Sequence, residues 1–298
     1  MRALGCLFAA GLFAVGCTSF APPKSPLPDA KSAVARLDAT YAKVTGIRGN
    51  AKIDYLGDKG RVKGELKLLA SAPDKLRIGI SASVVGSAGE VASDGVRFWA
   101  DDKANGRYII GLAKPCNIAR ITQVPLASRE LVPMLWGMRP DLPQKVTCDS
   151  VKWNGDGGFY VVALGHETTS STDPKLHELR MTPWPEDLDK PWGEQRMRLL
   201  GVLAWRDDAL VYRVTMADHQ KTATAKAIVD PDGLSDDVLP SGPDVEVDVP
   251  RKIHVEVPAK KSDVIFKYEE AFVNPPLPKD VFKLYMPPGV PVEEATCD

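Results

Sequence analysis

Between Ile47 and Leu112 apolar and polar residues alternate, at Ile47, Ala51, Ile53 and Tyr55, at Val62, Leu66 and Leu68, and at Leu76, Ile78 and Ile80. Alternation puts every second side chain on one face of an extended chain, so each run predicts a strand with one buried side. Gly57-Asp58-Lys59-Gly60, Ala72-Pro73-Asp74 and Gly86-Ser87-Ala88-Gly89 separate the runs. These are turn residues, and they predict an antiparallel meander. Val96, Phe98 and Ala100, then Tyr108 and Ile110, extend the pattern beyond Asp94-Gly95 and Asn105-Gly106. The strands then share one apolar face, and something must cover it.

Other periods supply the cover. From Asp29, a plausible N-cap, Val34, Leu37, Tyr41 and Val44 recur at helical spacing up to Gly46, predicting a helix with one apolar stripe. Ser128 to Gly137 is strongly apolar through Leu131, Met134, Leu135 and Trp136 but contains Pro133, which removes a helical hydrogen bond. It reads as a short helix on a loop, a lid. Strand signals resume from Lys145 to Trp153, turn at Asn154-Gly155-Asp156-Gly157-Gly158 and return through Phe159 to Leu164. Residues 165–195 are polar and carry Pro183-Trp184-Pro185 and Pro191-Trp192-Gly193, the pattern of an inserted surface loop with exposed tryptophans. Further strands are expected at 197–206, 209–216 and 223–229, and a last pair spans Val245 to Val273 before a Pro-rich tail. Some ten or eleven strands with two helices and no β-α-β alternation predict a mainly β (α+β) fold. Its most economical form is a curved antiparallel sheet making an open half-barrel, with an N-terminal helix and a short helical lid.

The N-terminus is different in kind. After Arg2, residues Ala3 to Gly16 are apolar and lead to Cys17. The run is shorter than the roughly 20 residues a membrane-spanning helix needs, and it suits a secretory signal over 1–16. Phe13-Ala14-Val15-Gly16-Cys17 resembles the lipobox of bacterial lipoproteins, with Ala14 where Leu is usual. The resemblance implies acylation of Cys17 and an anchor, followed by a Pro-rich tether over 17–28. Thr18 after Cys17, by similarity to enteric sorting rules, implies the periplasmic face of the outer membrane. Cys6 leaves with the signal, and of Cys116, Cys148 and Cys297 the expected disulfide joins Cys116 to Cys148, which flank one segment. With 38 basic against 39 acidic residues well mixed, nothing points to nucleic acid.

The order of elements over 29–290, with 291–298 as a tail, resembles the LolA/LolB-like lipoprotein-binding fold. Pro73-Asp74-Lys75-Leu76-Arg77 looks like that family's entry to its third strand, Asp94-Gly95 like its recurrent turn, and Leu135-Trp136-Gly137 like the end of its lid. In the LolB branch the loop after the third strand carries a protruding Leu before Gly-Ser. Here Val84-Val85-Gly86-Ser87 stands there, so Val84 and Val85 are the expected membrane or acyl contact. The resemblance implies acyl chains or lipoproteins bound in an apolar cavity without a cofactor. Its expected lining is Ile53, Leu66, Leu68, Ile78, Ile80, Phe98 and Ile110 from the sheet and Leu131, Leu135 and Trp136 from the lid.

Catalytic patterns are missing from the sequence. His166, His177, His219 and His254 lack metal spacing, His166-Glu167 lacks a zincin's second His, and Gly86-Ser87-Ala88-Gly89 is no nucleophile elbow. Neither an enzyme nor a metal site is expected. The competing reading is a scaffold lipoprotein that holds an envelope protein partner through residues 165–195.

Overall fold

A computed structural model describes residues 19–57, 60–82, 86–117, 126–142, 146–167, 174–230 and 236–296. Helix α1 spans Ala30–Tyr41. A meander follows: β1 (Gly46–Gly57), β2 (Gly60–Ser71), β3 (Lys75–Ala82), β4 (Gly86–Ser93), β5 (Arg97–Asp102) and β6 (Arg107–Leu112). Helix α2 (Ser128–Met134) leads to a second meander: β7 (Val146–Asn154), β8 (Phe159–His166), β9 (Leu176–Pro183), β10 (Met197–Arg206), β11 (Ala209–Ala223), β12 (Glu246–Val257) and β13 (Ser262–Val273). The short β14 (Val292–Ala295) comes last.

All fourteen strands form one sheet in the order β14-β6-β5-β4-β3-β2-β1-β13-β12-β11-β10-β9-β8-β7. The two meanders meet where β1 pairs with β13, and the curved sheet stays open, with β7 and β14 at its edges. Every pairing is antiparallel except β14 with β6, which is parallel. Residues directly opposite each other point to the same face, so Leu66 with Ile80, Leu68 with Ile78 and Ala70 with Leu76 make a continuous apolar floor.

Both helices lie on that inner face. The Asp29 carboxylate caps α1 by accepting from the Ser32 amide at 2.7 Å, and the helix buries Ala30, Ala33, Leu37 and Tyr41 over the second meander. Helix α2 packs on β3 in the first meander, and its buried residues join those of α1 and the sheet in one core. Gly137 ends the turn that follows α2, at φ 94°, a left-handed conformation that glycine adopts without strain.

Several sequence expectations need correction. Residues 165–195 are not simply a surface loop, because Leu176–Pro183 is β9, paired with β8 and β10. His177, Leu179 and Met181 are its buried row, and a histidine in that row hides the alternation. Trp184 is buried rather than exposed, and Trp192 is half-buried against the core. The expected strand at 223–229 is replaced by the end of β11 at Ala223 and isolated bridges at Thr224 and Ile228. The tether docks on the body from Phe20 onward: the Phe20 amide donates to the Gly155 carbonyl at 2.7 Å, and the Leu27 amide to the Tyr160 hydroxyl at 3.2 Å.

The expected disulfide is also corrected. Cys148 is a free, exposed thiol on the edge strand β7, whereas Cys116 is disulfide-bonded, so the two are not partners. Cys6, Cys17 and Cys297 lie outside the described residues, as do Val84 and the side chain and backbone of Val85. Among the described residues no helix is long and apolar enough to cross a membrane.

Candidate functional site

The lid segment, residues 126–142, is seated on the inner face. Leu131 and Leu135 cover Ala51, Leu66, Leu68, Ile78, Phe266 and Tyr268, and the space left between them is only about 10 Å³. That is scarcely room for one water molecule, which needs roughly 10–15 Å³. The cleft is therefore closed by its own lid, with an almost wholly apolar lining.

Five of the expected lining residues, Leu66, Leu68, Ile78, Leu131 and Leu135, come together there. Ile80 lies beside Leu66 in the same row and Ile53 one row further along, both half-buried against the same core, and beyond them Val62 is about half exposed. The inner face thus opens toward the β1–β2 hairpin tip. Trp136 is buried in the main core without lining the residual space, and its indole N–H has no acceptor among the described residues.

Phe98 and Ile110 do not belong to the cleft. Phe98 packs in a separate cluster with Val91, Ala100, Ile109 and Ala295. Ile110 is directly opposite Trp99, which puts it on the face opposite Phe98. There it lines an outer hollow of about 280 Å³ with Leu112, Asn117 and Ala295. Two adjacent isoleucines left the alternation ambiguous, and the turn before Arg107 sets the register so that Ile109 is the inward one.

Polar contacts hold the lid down. The Tyr268 hydroxyl donates to the Leu135 carbonyl at 3.2 Å. Arg139, just beyond the lid helix, donates two 2.9 Å hydrogen bonds to the Asp38 carboxylate on α1. Such a two-pronged guanidinium–carboxylate pair fixes orientation as well as distance. Arg129 and Asp141 close the lid segment on itself at 2.6 Å. Burial pushes the Tyr268 phenol well above its usual range, so it stays a neutral donor.

One polar chain crosses the inner face. Register aligns Leu164, His177, Ala204 and Tyr212 in a row over β8, β9, β10 and β11. His166 Nε2 lies 3.0 Å from His177 Nδ1, His177 Nε2 2.9 Å from the Tyr212 hydroxyl, and that hydroxyl 3.5 Å from the Glu130 carboxylate of α2. Burial, with His166 adjacent, lowers the His177 pKa to about 3, so the imidazole is neutral at ordinary pH. Sequence spacing gave no sign of this group, because its members meet across strands.

On the outer face His254, Glu256 and Asp263 bring three possible ligand atoms within 4.8 Å of one another. His254 Nε2 is 2.8 Å from Asp263, and Arg213 is 3.3 Å from Glu256, so ion pairing already accounts for their positions. The glycine-rich stretch after Asn154 is a hairpin turn, in which the Asn154 side chain accepts from the Gly157 amide at 2.8 Å.

No family model matches the chain, and no curated protein matches it either. Solved structures do. A putative outer membrane lipoprotein-sorting protein domain from Vibrio parahaemolyticus is similar at 10% identity, TM-score 0.53, over 85% of this chain and 97% of that one. A DUF1329 family protein from Desulfovibrio piger matches at 12% identity, TM-score 0.56, over 87% and 98%. A LolA superfamily protein from Nitrosomonas europaea matches at 13% identity, TM-score 0.51, over 86% and 98%. At such identities the likeness speaks to architecture, and the chain has the LolA-like fold: one curved, open, mainly antiparallel sheet with an N-terminal helix and a lid on its inner face.

Proposed function

We propose that the protein is a lipid-anchored envelope lipoprotein that holds acyl chains, of a lipid or of another lipoprotein, between the sheet and its lid. The observation that carries this reading is the seating of Leu131 and Leu135 on an apolar floor that is open toward one end. Displacing the lid exposes that floor, at about 1.5–3 kcal/mol for each large apolar side chain. An acyl chain in the lid's place removes the cost. Similarity to a lipoprotein-sorting domain supports the ligand class. The lipobox-like segment ending at Cys17 supports an anchor, and with Thr18 the periplasmic face of the outer membrane. Together these support a part in lipoprotein localisation, in which binding and release need no cofactor and no covalent step. The scaffold reading loses part of its motive, because residues 176–183 are a strand within the sheet and Trp184 is buried.

Titration of the full chain with a pyrene-labelled fatty acid tests this reading. Saturable one-site binding, competed by an unlabelled diacylated peptide, is expected. Absence of saturable binding would end it.

A further inference from the structure

Besides the Tyr268 hydroxyl, already bonded to the Leu135 carbonyl, the inner face carries the polar His166–His177–Tyr212 chain, and that chain ends on the lid. Glu130, when ionised, can only accept a hydrogen bond, which fixes the direction of the rest. The Tyr212 hydroxyl donates to Glu130, His177 Nε2–H donates to the Tyr212 oxygen, and His166 Nε2–H donates to His177 Nδ1. The chain thus aims one hydroxyl proton at the lid, with the neutral His177 directly behind it. Tyr212 and His177 are both almost completely buried, so the donor is fixed in position and screened from water.

Resting on the acyl-binding reading above, we propose that Tyr212 is the polar recognition point of the cleft. Glu130 occupies it while the lid is seated, and an ester or amide carbonyl of an acylated ligand takes it when the lid is displaced. The argument is one of exchange. Glu130 precedes Leu131 on α2, so a ligand that lifts Leu131 from the floor also withdraws the carboxylate from Tyr212. A bare hydrocarbon would leave a buried hydroxyl without an acceptor, and burying an unmatched donor is costly. A carbonyl restores the match. The hydroxyl therefore selects acyl esters and amides over alkanes of the same length, and because Tyr212 lies beside the lid, outside the present lining of the cleft, a ligand reaches it only once Glu130 has moved away. Its partner His177 is a positioning residue, since it acts on the ligand only through Tyr212.

The test compares two probes on the full chain, a pyrene-labelled dodecane and the methyl ester of a pyrene-labelled dodecanoic acid. The wild-type protein is expected to bind the ester about tenfold more tightly, which corresponds to about 1.4 kcal/mol. Tyr212→Phe should reduce that preference to less than about twofold by weakening the ester alone. Glu130→Ala, which removes the competing acceptor and leaves the wall of the sheet intact, should keep the preference and tighten ester binding. It also serves should Tyr212→Phe fail to fold. Equal affinity of the wild-type protein for both probes, or an undiminished preference in Tyr212→Phe, overturns the assignment while leaving acyl binding in place. Failure of the wild-type protein to bind either probe overturns both.

Discussion

Tyr268 on β13 and Leu135 at the end of α2 are joined by a 3.2 Å hydrogen bond in the core, from phenol to backbone carbonyl. The last carbonyls of a helix have no partner within it, so this donor satisfies a group that would otherwise be orphaned. It also ties the lid to a strand near the middle of the sheet. Tyr268→Phe keeps the ring and removes the donor. The expected cost is about 1–3 kcal/mol in urea unfolding. More specifically, the amides of residues 131–138 should exchange hydrogen faster than those of β12 and β13. Uniform acceleration across the whole chain would mean that Tyr268 stabilises the fold without fastening the lid.

The cysteines give a simple chemical check. Cys148 is free and exposed, and Cys116 is in a disulfide. Iodoacetamide applied to the native, unreduced protein should modify Cys148 and leave Cys116 intact, as read by peptide mass mapping. After denaturation and reduction Cys116 should become reactive. A peptide linking Cys116 to Cys148 would contradict the arrangement.

The regular parts of the fold were readable for a physical reason: where one face of an element is buried and the other wet, composition alternates with structure. Asp29 as a cap, the apolar rows of β1 to β3 and the turn after Asn154 all follow that rule. It fails where both faces are covered or a buried place is polar. Ile109 and Ile110 are both apolar, because the tail covers the outer side of β6 near Tyr108, whose hydroxyl donates to Leu284. In β9 the buried row begins with His177, so the strand reads as polar loop. The parallel pairing of β14 with β6 joins segments far apart in sequence, which no local pattern encodes. In the candidate cleft, alternation identified burial at Leu66, Leu68 and Ile78 but not that the lid fills the space above them. The polar chain from His166 to Tyr212 was invisible because its links span 11 and 35 residues.

Acid should destabilise the protein through two histidines, the buried His177 and the half-buried His219. Burial, with the adjacent His166, lowers His177 to about 3. Burial, with the nearby Arg198, lowers His219 to about 4, against the opposing pull of the Leu199 carbonyl and Asp218. The unfolded chain takes up these protons near pH 6.5, whereas the folded chain resists until well below. Their contribution is therefore fully present above about pH 6.5 and is lost as pH falls toward the folded values. Each group lowers stability by up to about 1.4 kcal/mol per pH unit within that window. His219→Gln should roughly halve the slope of unfolding free energy between pH 6 and 5, measured by urea titration in a series of buffers. An unchanged slope would show that His219 is protonated in the folded protein.

Asp187 offers the sharpest test of how residues 184–196 are fastened to the sheet. Its carboxylate is completely shielded and accepts from the Arg196 guanidinium at 2.7 and 2.9 Å, from the Arg196 amide at 2.9 Å and from Lys190 at 2.6 Å. Arg196 in turn stacks 3.8 Å over the Trp184 ring. These hydrogen bonds outweigh burial and hold the Asp187 carboxyl well below the usual carboxylate range. Its contribution is present above about pH 3.9, the unfolded value, and disappears only as pH falls through the depressed folded value. Breaking a fully buried ion pair costs about 3–5 kcal/mol. Arg196 retains some access to water and can recover part of its hydration, so Asp187→Asn should cost about 2 kcal/mol at neutral pH. For a domain of this size that is a fall of roughly 4–8 °C in Tm. Arg196→Lys keeps the charge but loses the planar fork and the stacking on Trp184, and it should be destabilising as well. If both substitutions leave Tm unchanged, residues 184–196 are not fastened to the body by this knot, and the buried state of Trp184 should then be checked by its fluorescence.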